Sequence, residues 1–260
     1  MEMGIKGKLA LVTGGGRGLG HAIAKGLAQE GAHVVVTSRR KEDLAGLVDE
    51  MGGAKSGHGF YAMDITDDGA PDKLADMVLA DHGEPDILIN NVGGNLDKTD
   101  PFHNLNDWRS VFRINLEVTV ELNNRFVPLM QKKGWGRVCQ VSSISALENQ
   151  GPPAYCAAKA ALTAYTRSFG RFVAPQGVIV TSILPGAVFT EGGYWDLASK
   201  DRPQHVEKYL KDRMAIQRFG KTEEISDVVV FLCSEKASFC VGSAFLVDGG
   251  QGRIFYAQEG

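Results

Sequence analysis

The chain has 260 residues, 43% of them apolar and 23% charged, which suits one large α/β domain or two small ones with a sizeable core. A net charge of −3 supplies no general electrostatic reason to bind nucleic acid or an anionic membrane, and no apolar run approaches the ~18 residues of a membrane span. The four cysteines, Cys139, Cys156, Cys233 and Cys240, make no C-x-x-C pair and no zinc-spaced cluster, so no metal site is expected and a reducing, cytoplasmic setting is.

The strand pattern begins by Leu9 with Lys and Gly before it, which argues against a signal peptide, and Lys8 occupies the position where a Met3-Gly4 acylation signal needs Ser or Thr. Residues 8–13 (KLALVT) form a short apolar run. It is followed by Gly14-Gly15-Gly16-Arg17-Gly18-Leu19-Gly20, and then by helical spacing over 21–30 with Ile23, Leu27 and Ala28 on one face. Strand, glycine turn and helix in this order let backbone N–H groups approach a pyrophosphate at the positive helix end, so a dinucleotide is the expected ligand. Residues 32–37 are the next strand, and Ser38-Arg39-Arg40-Lys41 follows it. An acidic residue here would accept from a ribose 2′-OH and repel a 2′-phosphate. Serine followed by basic residues, with Arg17 within reach, favours NADP(H) over NAD(H), because cations at a helix start oppose its dipole unless they meet an anion.

Further helices are expected over 41–51, 71–82 and 104–132, and strands over 59–63, 86–90 and 136–141. Asp64, beside Ile65, ends the third strand, where it can touch an adenine edge or cap the next helix with Thr66 and Asp67. Asn90 and Asn91 end the fourth, with side-chain amides able to pin neighbouring strands, and Val92-Gly93 then passes next to the cofactor. Asn115 lies inside the long helix, where asparagine has poor propensity.

The fifth strand delivers Ser142-Ser143, and Gly151-Pro152-Pro153 breaks the chain ahead of a helix carrying Tyr155 and Lys159. Residues i and i+4 share a helix face, so the phenol and the ammonium can enter one cavity, where the ammonium would draw the tyrosine pKa down from about 10. A serine hydroxyl nearby can hold a carbonyl oxygen. Cys156 reads as a packed thiol rather than a nucleophile. Residues 178–184 form a strand ending at Pro185-Gly186, and 190–213 is the least regular stretch, a substrate lid extending to about 215. A last helix over 223–232 and a last strand over 244–247 complete the chain, with no repeat and no linker, so one domain spans 1–260. Alternating strands and helices imply an α/β fold, a doubly wound parallel sheet with helices on both faces and ligands at the carboxyl ends of its strands.

Over nearly its whole length the sequence resembles the short-chain dehydrogenase/reductase family. Thr13-Gly14-x-x-x-Gly18-x-Gly20 resembles T-G-x-x-x-G-x-G, and Asn90-Asn91-Val92-Gly93 resembles N-N-A-G with Val for Ala. Asn115, Ser143, Tyr155 and Lys159 resemble the catalytic tetrad, Pro185-Gly186-Ala187-Val188-Phe189-Thr190 resembles P-G-x-I-x-T, and RFGKTEEISDVVVFLCSE with the closing VDGG resembles the C-terminal segment. Either serine of the pair fits the catalytic place. The local pattern favours Ser143, at a spacing to Tyr155 one residue shorter than in many relatives. Thr181 replaces a common Asn, and the 190–220 segment is longer than in acyl-carrier-protein ketoreductases.

The resemblance implies a Rossmann-type NADP(H)-dependent enzyme that interconverts a small-molecule carbonyl and a secondary alcohol by hydride transfer. Tyr155 would be the acid and base, Lys159 the ribose ligand, Ser143 the carbonyl ligand, and Asn115 the holder of a water leading to Lys159. The expected cofactor contacts are Gly14, Gly16, Arg17, Gly18, Leu19, Gly20, Ser38, Arg39, Arg40, Asp64, Ile65, Asn91, Val92, Gly93, Tyr155, Lys159, Pro185, Gly186, Val188 and Thr190. A homotetramer or homodimer is expected. Two alternative functions on related folds would leave different marks. A nucleotide-sugar epimerase or dehydratase would favour T-G-x-x-G-x-x-G spacing and a longer chain, and a non-catalytic scaffold on the same fold would often lose the tyrosine or lysine.

Overall fold

The computed structural model describes residues 2–148 and 150–253. Strands β1 (Leu9–Thr13), β4 (Ile87–Asn90), β5 (Gly136–Val141) and β6 (Val178–Pro185) are buried at every residue, as expected of strands covered on both faces. With β2 (His33–Ser38), β3 (Gly59–Ala62) and β7 (Ala244–Val247) they form one parallel seven-stranded sheet in the order β3-β2-β1-β4-β5-β6-β7. The order reverses between β1 and β4, which opens a crevice above the carboxyl ends of those two strands.

Alternate residues of each strand serve the two faces. Ala10, Val12, Val34, Val36, Ile87 and Ile89 pack with α1 (Gly18–Gln29), α2 (Lys41–Glu50) and α9 (Thr222–Leu232) through Ile23, Leu27, Leu44, Leu47 and Val229. Leu11, Val35, Leu88, Val138 and Val180 pack with α3 (Ala70–Asp81), α5 (Val118–Lys133) and α6 (Pro153–Val173) through Leu74, Val78, Leu122, Phe126 and Val173. Helices α1 and α9 lie close because Gly26 has no side chain: a Cβ there would stand 2.5 Å from Ser226 Oγ. That hydroxyl instead donates to the Ala22 carbonyl.

Most element boundaries fall within one or two residues of those expected, and two expectations are corrected. The helix expected over 104–132 is three pieces: α4 (Leu105–Phe112), capped by Asn104 Oδ1 accepting from Asn106 N and Asp107 N, then a wide π turn over Arg113–Glu117, then α5. Asn115 causes the interruption. Its Nδ2 donates to the Val111 carbonyl four residues back (2.8 Å) and to the Gly94 carbonyl (2.7 Å), competing with the regular backbone ladder. The stretch after Thr190 is not irregular either. It contains α7 (Tyr194–Asp201) and α8 (Pro203–Arg213), whose buried faces amount to Asp196, Ala198 and Val206, too sparse to show helical periodicity. Proline at the first position of α8 and the Asp196–Lys200 pair (2.9 Å) support helices that little apolar burial sustains.

Candidate active site

The glycine turn lies at the head of the crevice. Gly14 (φ +67°) and Gly18 (φ +60°) adopt left-handed backbone that other residues resist. A Cβ at Gly20 would run into the Gly14 carbonyl, and one at Gly16 would stand 2.6 Å from Ser38 Oγ. The turn therefore packs flat against β1 and β2. Helix α1 begins here with no side-chain cap and no acidic residue in its first turn, so its leading N–H groups are available to an anion. Asn91 fixes the turn from below, its Nδ2 donating to the Thr13 (2.9 Å) and Gly14 (3.2 Å) carbonyls. Thr13 Oγ1 accepts from the backbone of Asn91 and Val92 in return. Asn90 turns away from the crevice and donates to Asn123 Oδ1 on α5.

The resulting cleft measures about 1080 Å³, above the ~300–1,000 Å³ of ordinary small-ligand pockets, which suits a ligand as long as a dinucleotide. Every residue expected to contact the cofactor lines it: the glycine turn, Ser38-Arg39-Arg40, Asp64-Ile65, Asn91 to Gly93, Tyr155, Lys159, Pro185-Gly186, Val188 and Thr190. Thr190 closes it beside the turn, its Cγ2 3.4 Å from where a Gly18 Cβ would be. At the Ser38 end the charge is mixed. Arg40 pairs with Asp43 at 2.5 Å, three residues on, so a carboxylate of its own helix already compensates one of the cations expected to await a phosphate. Arg39 is 73% exposed along its side chain and 3.9 Å from Asp64 Oδ2, and Arg17 makes no ion pair among the described residues. Asp64 also receives Thr66 N (2.9 Å) and Thr66 Oγ1 (2.6 Å), which closes a local turn. It lines the cleft as expected but does not cap the next helix, because α3 starts only at Ala70, behind Gly69 and with no side-chain cap.

Toward the other end, α6 presents Tyr155 and Lys159 one turn apart, with Nζ 5.7 Å from the phenol ring centre. Lys159 is 3% exposed, and its Nζ donates to the Val141 carbonyl at 2.8 Å. Burial pulls its pKa down from 10.5 to about 7. The two serines part company at the end of β5, as consecutive residues of a strand do. Ser142 Oγ turns into the protein, bonded to Thr163 Oγ1 (2.9 Å) and to the Lys159 carbonyl (3.2 Å). Ser143 turns to the cleft, which it lines together with Tyr155. Burial pushes the Tyr155 phenol up, and the nearby Ser143 hydroxyl only partly offsets this. The downward pull expected from Lys159 is thus absent in the protein alone, because an amine titrating near 7 is only partly charged at neutral pH. Asn115 is fully buried, and its amide is committed to Gly94 and Val111, with Oδ1 accepting from Gly94 N (3.1 Å). Its side chain clamps the Gly94 backbone, and the expectation that it holds a water gains no support from that side chain.

Three further residues lie at the site without having been singled out. Trp195 of α7 lines the cleft and is packed by Tyr209 (4.3 Å between ring centres), Phe219 (4.7 Å) and Tyr194 (4.8 Å). Gln251, beyond β7, accepts from Ala187 N (2.7 Å) and donates to Tyr209 Oη (2.6 Å), tying α8 to the end of β6. Ser145 is bonded to Ser143. A tryptophan in a lid is a readable signal. The contacts of Gln251 and Ser145 depend on chain segments meeting in space and leave none.

Residues 14–251 match a family model described as enoyl-(acyl carrier protein) reductase. The 3-oxoacyl-[acyl-carrier-protein] reductase FabG of Aquifex aeolicus is 34% identical over 254 residues, covering 96% of this chain and 99% of the relative. Dehydrogenase/reductase SDR family member 4 of Sus scrofa is 33% identical over 95% of this chain and 88% of its own length. Among solved structures, the L-sorbose reductase of Gluconobacter frateurii complexed with NADPH and L-sorbose superposes with a TM-score of 0.89, at 31% identity, over 99% of this chain and 100% of that one.

Proposed function

The chain belongs to the short-chain dehydrogenase/reductase family and is an oxidoreductase of its ketoreductase type, and from that premise we propose an NADP(H)-dependent interconversion of a small-molecule carbonyl and a secondary alcohol with Tyr155 as proton donor and acceptor. The observation that carries this reading is the meeting of Tyr155, Lys159 and Ser143 at the wall of a dinucleotide-sized cleft. The residues present fit the cofactor: a glycine turn no side chain could enter, an uncapped helix start for the pyrophosphate, and Arg17 and Arg39 for a 2′-phosphate. When bound, NADP(H) supplies or accepts the hydride at the reacting carbon. Ser143 orients the substrate oxygen. Tyr155 gives that oxygen its proton in reduction and takes it back in oxidation, while Lys159 holds the nicotinamide ribose and, when charged, favours the phenolate. The FabG relatives and the NADPH complex of L-sorbose reductase support NADP(H).

We read α7 and α8 as the substrate lid, residues 1–260 as one domain, and the four free thiols as those of a cytoplasmic protein. The reading extends to a homotetramer or homodimer. Strand β7 is a sheet edge with Leu246 exposed, Phe239 beside it is 99% exposed, and Phe172 of α6 is exposed as well. Light scattering at micromolar concentration checks this, and a monomer refutes it.

The test of the activity is single-turnover NADPH consumption with a panel of keto substrates, cofactor saturating. Tyr155→Phe keeps the ring and removes the ionisable hydroxyl. It should slow hydride transfer ~10²–10⁴-fold and leave cofactor affinity nearly unchanged. A rate within a few-fold of the parent on an active substrate sinks the assignment.

A further inference from the structure

Ser143 lines the cleft beside Tyr155, but its hydroxyl proton is committed elsewhere. Ser143 caps a short 3₁₀ turn, Ile144–Ala146, with its Oγ accepting from Ser145 N at 3.1 Å. Its own proton points at Ser145 Oγ, also at 3.1 Å. Ser145 is 5% exposed, and its Oγ lies 3.0 Å from the Gln150 carbonyl. A carbonyl can only accept, so the single Ser145 proton is spent there, and Ser145 Oγ can only accept from Ser143. The direction of the row is therefore set from its far end: Ser143 to Ser145 to the Gln150 carbonyl. That end is anchored. Gln150 N donates to the Glu148 carbonyl (2.8 Å), and Gln251 Nε2 reaches Gln150 Oε1 at 3.4 Å. Gly151 holds the parts together, since a Cβ there would be 3.3 Å from Tyr155 Cδ1 and 3.4 Å from Ser145 Oγ.

We propose that Ser145 is a positioning residue that claims the Ser143 proton and so sets how readily Tyr155 ionises. The idea rests on the acid–base role of Tyr155 for its consequence in catalysis, but not for its physical content. While Tyr155 keeps its proton, the phenol donates to Ser143 Oγ or to substrate, and the row is satisfied. Once the proton has gone, the phenolate oxygen needs a donor. Ser143 can supply one only by turning away from Ser145. Two hydroxyl oxygens then face each other with no proton between them, unless Ser145 in turn abandons the Gln150 carbonyl. The row thus limits how far Ser143 can favour the phenolate. Removing the Ser145 hydroxyl releases the Ser143 proton to the phenolate and leaves the backbone cap from residue 145 in place.

The other titratable groups around the phenol are unaffected by that change. Lys159 and Cys156 lie on α6 itself, Glu148 precedes Gln150 and accepts from Arg253 N, and Arg17, Arg113 and Glu191 line the same cleft. Val111, Trp108 and Phe112 bring only apolar surface from α4.

The experiment is an ultraviolet titration of the phenolate in the full-length protein, with the Tyr155→Phe protein subtracted to isolate residue 155. Ser145→Ala should lower the midpoint by roughly 0.5–1 pH unit, the worth of one ordinary hydrogen bond. Ser145→Thr, which keeps the hydroxyl, should restore it. In a Ser143→Ala background, Ser145→Ala should move the midpoint little, because the effect passes through Ser143. A folded Ser145→Ala protein with an unchanged midpoint overturns the proposal, as does an equal shift in the Ser143→Ala background. The pH profile of alcohol oxidation, which rises as Tyr155 ionises, should move down in step. A phenolate shift without a shift in that profile upholds the relay and overturns instead the acid–base role of Tyr155, so the two failures are distinguishable.

Discussion

Lys159 is buried, pairs with no carboxylate among the described residues, and titrates near 7 instead of 10.5, with burial as the cause. This makes it a cost to the fold at neutral pH, and the cost has a sign. Between pH 7 and 10.5 the unfolded chain binds a proton at residue 159 that the folded protein does not, so stability rises with pH across that window, by at most about 1.4 kcal/mol per pH unit. Integrated over the window, the ceiling is about 5 kcal/mol. Lys159→Met keeps the apolar stem and removes the amine. It forfeits the bond to the Val141 carbonyl, about 1 kcal/mol, and relieves the desolvated charge. The variant should therefore be the more stable protein at pH 7, and its advantage should shrink by about 2 kcal/mol between pH 7 and pH 9. Urea unfolding of both proteins at pH 7, 8 and 9, at one fixed concentration so that any association is common to both, reads the difference directly. Parallel pH dependences would mean that Lys159 keeps its charge in the folded state, and the account of its burial would be wrong.

Arg39→Ala should weaken NADPH roughly 10- to 100-fold by loss of a charge-assisted hydrogen bond and leave NADH nearly unaffected. Fluorescence titration with both cofactors checks this, and an equal loss for each removes Arg39 from the phosphate site. Gly93→Ala would place a methyl 2.7 Å from Asn115 Oδ1 and 2.9 Å from Lys159 Nζ. It should cost about 1–3 kcal/mol of stability by overpacking and displace the lysine, lowering turnover together with cofactor affinity. A Gly93→Ala protein with parental melting and kinetics would show that this crowding is relieved at no cost.

What was legible in the sequence is what short-range periodicity encodes. Glycines at 14, 18 and 20 between an apolar run and a helix specify a turn that only bare backbone can make. Apolar runs such as LALV in β1 and ILI in β4 suit a sheet covered on both sides, and a tyrosine four residues before a lysine shares its helix face whatever surrounds it. These properties are set within one helical turn or one strand, so no distant residue is needed to read them.

Contacts between distant segments decided the rest. Which serine faces Tyr155 depends on Thr163, a partner 21 residues from Ser142 that draws one hydroxyl inward. The π turn at Arg113–Glu117 exists because Asn115 finds Gly94 across the cleft. Helices α7 and α8 bury too little to announce themselves, and depend on the Trp195 ring cluster and on Gln251 from beyond the last strand. The same holds for the chemistry. The residues at 155 and 159 were readable, but their proton affinities were not: desolvation belongs to the packed interior, and it lowers the lysine and raises the tyrosine where the ammonium alone would have lowered the tyrosine.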